Sequence, residues 1–151
     1  MNKCTVAVGL ILSLAQSAHA QSLEQQREIV AKKAITLGDA CLFFHGINFE
    51  ANQELTPADA YDKLAKAGIA PEGWKDRLGE EASLGGVSYL ICMTLKVEGG
   101  VTARLFGLSP RLAYKECARA QLVRRAGPYA RVSGIAIQGI AGKVQDLIEA
   151  K

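Results

Sequence analysis

The sequence predicts an all-α fold, a compact bundle of four to five helices carrying one disulfide. Three observations predict it. Apolar residues recur at steps of three and four along much of the chain. Thr56-Pro57 and Ser109-Pro110 set a capping hydroxyl before a proline, the order in which helices begin. Three cysteines remain once an export signal is set aside, enough for one bridge in an oxidising compartment. The alternative is an α+β fold with a β-hairpin around residues 87–106, where Val87, Tyr89, Ile91, Met93, Leu95 and Val97 alternate as strand residues do.

Residues 1–20, MNKCTVAVGLILSLAQSAHA, read as a signal peptide. Lys3 precedes an apolar stretch from Val6 to Ala15, and Ala18-His19-Ala20 supplies small residues at the cleavage positions. Cys4 follows no lipobox, so a lipid anchor is not expected. Cleavage after Ala20 leaves 21–151 as a single helical domain of ordinary size. The longest apolar run, Leu84 to Leu95, has 12 residues, short of the roughly 20 a spanning helix needs. No transmembrane anchor is expected. The signal is bacterial in style, which places the protein in the periplasm, with secretion as the alternative.

The mature elements follow in order. Val30, Ala34, Leu37, Cys41 and Phe44 draw one apolar stripe, which predicts a long helix over Leu23 to Asn48 with a bend at Gly38 or Gly46. Thr56-Pro57-Ala58-Asp59 opens a short helix that runs to Ala67, where Gly68 caps it and Ile69 folds back. Its inward residues are Tyr61, Leu64 and Ala65. Asp76 to Ala82 reads as helix, and Gly86 to Val97 is assigned to helix because the clearer segments are helical. Ser109-Pro110 starts a further helix, expected to reach Ala126 before Gly127-Pro128 stops it. The last segment, Tyr129 to Ala150, contains Gly134, Gly139 and Gly142, and is expected to pack closely along that glycine side.

Charge is uneven. Gln21 to Leu90 holds 7 basic and 11 acidic residues, whereas Ile91 to Lys151 holds 10 basic and 4 acidic ones. Within Arg104 to Arg131 the single acid is Glu116. Arg111, Lys115 and Arg119 form an i, i+4, i+8 stripe, with Ala113, Cys117 and Ala120 on the opposite side. Arg124, Arg125 and Arg131 extend the positive charge. Arg111, Lys115, Arg119, Arg124 and Arg125 are the candidate partner-binding face, suited to an acidic surface. A solvated helix face accounts for the same pattern without any partner. Nucleic acid is not expected as a partner, since no recognised binding motif occurs and export removes the protein from it.

Cys41, Cys92 and Cys117 are the disulfide candidates. The sequence does not choose among the pairs, and the odd thiol could cross-link two copies into a homodimer. Cys41 and His45 stand one helical turn apart and are the weak alternative metal ligands. Tight zinc shells show paired ligands two to four residues apart, and only this pair is local, so neither metal nor cofactor is expected. Cysteine catalysis needs an exposed thiolate, yet Cys41 sits on the apolar stripe. His45 is the one histidine after residue 20, which leaves no serine-histidine-acid set, and the Glu80-Glu81 carboxylates point apart on a helix. No catalytic constellation emerges, so an enzyme is not expected. The expected function is an exported protein that binds a partner in the cell envelope, of the kind an inhibitor, immunity protein or chaperone represents. The second expectation is a periplasmic protein that holds a small ligand or metal through Cys41 and His45.

Overall fold

A computed structural model of the chain describes residues 23–49, 55–97 and 107–150. The signal-peptide reading of 1–20, the turn expected at residues 98–100 and the second strand of the alternative hairpin lie outside them. Helical turns over residues 23–31 form α1. Then come α2 (Leu37–Asn48), α3 (Pro57–Lys66), a 3-10 segment (Glu72–Arg77), α4 (Leu84–Thr94), α5 (Pro110–Arg119) and α6 (Gly134–Glu149). No strand occurs among the described residues, and 87–94 lie within α4. The chain is all-α.

Three of these helices start from one backbone knot. Ile35, Ala82 and Val132 are buried, and each stands immediately before the N-cap of α2, α4 or α6. Their backbones bond in a closed ring. Ile35 N–H donates to Val132 O at 2.9 Å, Val132 N–H to Ala82 O at 3.2 Å, and Ala82 N–H to Ile35 O at 2.8 Å. Buried backbone groups outside a helix need partners, and the ring supplies them.

The first-turn amides run round the same three segments in the opposite sense. Leu37 and Gly38 donate to Glu80 O and Leu78 O, ahead of α4. Leu84 and Gly85 donate to Ala130 O and Pro128 O, ahead of α6, and Gly134 donates to Lys32 O, ahead of α2. Thr36, Ser83 and Ser133 cap the next amides in each helix, each cap contributing about 1 kcal/mol. At α2 the cap is a full box, in which Asp39 accepts from Thr36 N–H at 2.9 Å and pairs with Lys32.

Close approach explains two glycines. A Cβ on Gly134 would fall on the carbonyl oxygens of Ile29 and Val30, and one on Gly38 would stand 2.7 Å from Pro57 Cβ. Around the knot α2 packs mainly on α3 and also meets α4 and α6, while α4 packs mainly on α5. Phe44, Leu64, Leu90, Ile91 and Ile137 fill the resulting core.

Several expectations change. The long helix Leu23–Asn48 is two helices, broken at 32–36 because Thr36 and Asp39 cap a new start and Ile35 joins the ring. Asp76–Ala82 is not α-helix. The 3-10 segment ends at Arg77, and the carbonyls of Leu78 and Glu80 serve α2 instead of a helix of their own. Helix α5 stops at Arg119 rather than Ala126, with Gln121 in the left-handed region at φ 59° and Leu122 N–H folded back on Cys117 O. Of the three late glycines only Gly134 meets a neighbour, since a Cβ on Gly139 or Gly142 would have nothing within 4 Å. The predicted disulfide is absent: Cys41, Cys92 and Cys117 are all free thiols. The Thr56-Pro57 start, the Gly68 turn at φ 72° and the Ile69 N–H bond to Leu64 O agree with the reading from sequence.

Candidate functional site

The basic stripe of α5 faces outward as its spacing requires. Arg111, Lys115 and Arg119 are exposed, and Ala113 and Cys117 are buried behind them. Ala120 lies past the helix end and is exposed, so it takes no part in packing. Arg119 pairs with Glu116 at 3.3 Å. Among the described residues, Arg111, Lys115 and Arg125 make no ion pair. Arg124 and Arg125 lie in the irregular stretch after α5 rather than on the helix, and Arg124 donates to Arg131 O at 3.2 Å.

The α4–α5 seam gathers the sulfur. Cys92 and Cys117 face each other with sulfurs 3.7 Å apart, well beyond the about 2.05 Å of a bond, which is why no bridge exists between them. Cys117 also reaches Ser88 O at 3.6 Å, and Cys92 reaches Ala113 O at 3.9 Å. Hydrogen bonding from Cys117 holds the Cys92 thiol below its usual range. The same bond, with burial, pushes Cys117 up. A cavity of about 260 Å³ adjoins both sulfurs, bounded also by Ile91, Val97, Glu116 and Arg119. The hydroxyl of Ser88, on the same face of α4, is fully buried without a hydrogen-bond partner.

Cys41 stands elsewhere. It is fully buried beside the α2–α3 contact, and burial alone pushes its thiol up to about 12. His45, one turn on, is buried against the ring of Phe49 at 5.0 Å, and its Nε2 has no partner. Burial, then the charge of Lys63, lowers its pKa. Cys41 and His45 thus lie near one another in the core, but the described residues bring no three His, Cys, Asp or Glu side chains around a common ion position. All three thiols of the described residues are buried.

Sequence spacing did not reveal one further cation, Lys143. Lys143 on α6 and Arg131 join Arg124 around a second cavity, of about 210 Å³. Only the fold unites positions 124, 131 and 143. No protein-family model matches the chain, and no curated protein or solved structure is similar enough to count as a relative. No helix among the described residues is long and apolar enough to cross a membrane.

Proposed function

We propose that this chain works outside the cytoplasm, in the periplasm, as a small binding module that docks an acidic protein partner through its basic face. The face comprises Arg111, Lys115 and Arg119 on α5 with Arg124 and Arg125 beyond it. One observation carries the reading: Arg111, Lys115 and Arg125 are exposed and have no ion pair among the described residues. Surface cations that serve only folding gain little from such isolation, whereas an acidic surface would find them ready to steer association. Signal-like residues 1–20 and the excess of base in the second half support the same reading.

The disulfide expected for such a compartment would then join Cys92 and Cys117, whose sulfurs already touch across α4 and α5. Cys41, sealed in the core, would remain the odd thiol.

The test is capture from an envelope fraction at low and high salt, with Arg111→Glu/Lys115→Glu as the comparison. A bound protein that releases with salt, and whose affinity falls by about tenfold or more in the double variant, is the expected result. Equal capture by both forms would reduce the basic face to solvation.

A further inference from the structure

The knot end of the molecule carries a pocket whose chemistry differs from the α5 face. Its floor is apolar, formed by Leu84, Leu122, Val123 and Ile140, and its mouth holds Arg124, Arg131 and Lys143. Ile135 stands at its edge with 74% of its surface exposed. Gly139 also lines it, with open space where a side chain would be.

Two of its three cations keep the mouth positive. Arg124 and Lys143 donate only to backbone carbonyls, those of Arg131 and Gln121, so their charges are not neutralised by any carboxylate among the described residues. Arg131 is offset by Glu81 at 2.7 Å, leaving two net cations. Cations around an apolar floor match a ligand with an anionic head and a hydrocarbon tail.

We infer that this pocket, between the 122–131 segment and α6, binds a single-chain anionic amphiphile, its head on Arg124 and Lys143 and its tail against Leu84 and Ile140. Size limits the tail. The cavity of about 210 Å³ suits a short hydrocarbon chain. The inference shares Arg124 with the proposed docking face but uses neither Arg111 nor Lys115, and its pocket probe reads out whether or not the α5 face docks a protein.

Octanoate is the probe, titrated into the whole protein and followed by amide shifts of Ile135, Ala136 and Gly139. Binding should tighten about three- to fourfold per methylene from butanoate through octanoate, then level off once the cavity is full. Lys143→Glu should weaken octanoate by about tenfold or more. Gly139→Leu should do the same by occupying the cavity. Leucine is also the better helix former, so a lost ligand in that variant does not mean a lost fold. Octyltrimethylammonium should not bind. The inference is overturned if the cationic homologue binds equally, if chain length has no effect, if Gly139→Leu binds octanoate unchanged, or if the protein ignores octanoate and associates only with anionic vesicles.

Discussion

Cys41 on α2 and Cys92 on α4 begin alike, each sealed in the core on a helix. They differ in what stands opposite. Around Cys41 burial acts alone, and the thiol is driven up to about 12, where it behaves as a small apolar side chain. Opposite Cys92 is a second sulfur at 3.7 Å, whose hydrogen bond favours the thiolate against the same burial. The comparison teaches that burial silences a cysteine only where no partner group opposes it. The partner group decides, and the partner here comes from another helix.

Oxidation would sharpen that comparison most. Oxidised glutathione added to the native protein should take two electrons and two protons from Cys92 and Cys117, leave as two molecules of reduced glutathione, and leave Cys41 a thiol. The bridge spans 25 positions, so the loop model assigns it about 3.5 kcal/mol of added stability. Denaturant midpoints with and without oxidant measure the gain, and Cys92→Ala should abolish it. Equal oxidation of Cys41 would break the comparison outright.

A smaller effect tests the silent side. Cys41→Ser places a hydroxyl where a thiol packs among apolar groups, and should destabilise by about 1–3 kcal/mol if that hydroxyl finds no partner. Cys41→Ala keeps the site apolar and should cost less. Urea unfolding of the two variants gives the difference, and a serine as stable as the alanine would show that polar partners reach this pocket.

The smallest effect concerns His45, the neighbour of Cys41. Burial and Lys63 lower its pKa from 6.5, so the unfolded chain takes up a proton before the folded one does. Its contribution is therefore complete above about pH 6.5 and is lost progressively as pH falls below that value. Urea midpoints should decline between pH 7.5 and 5, and the decline should shrink in His45→Leu. An undiminished slope in that variant would assign the pH dependence to other groups.

Much of the fold was legible locally. Thr56-Pro57 and Ser109-Pro110 marked true helix starts, and Gly68 a true stop, because caps and left-handed turns depend on a few adjacent residues. The break at 32–36 was also written in the chain, as the Thr36-Leu37-Gly38-Asp39 capping box, but the apolar stripe running through it masked the signal. The resemblance between Ile35-Thr36-Leu37-Gly38 and Ala82-Ser83-Leu84-Gly85 could have pointed to equivalent starts for α2 and α4. Of the sites, the exposure of Arg111, Lys115 and Arg119 followed from helical spacing. The pairing of Cys92 with Cys117, and the grouping of Arg124 and Arg131 with Lys143, did not.

By itself the sequence determined the helical class, several helix ends and which face of α5 carries charge, since these follow from periodicity and nearest-neighbour sterics. The tertiary structure alone decided that Ile35, Ala82 and Val132 close a ring, that two of three thiols meet, and that distant cations share one pocket. Those outcomes depend on how separated segments satisfy each other's backbone groups and fill common space. No local pattern encodes that.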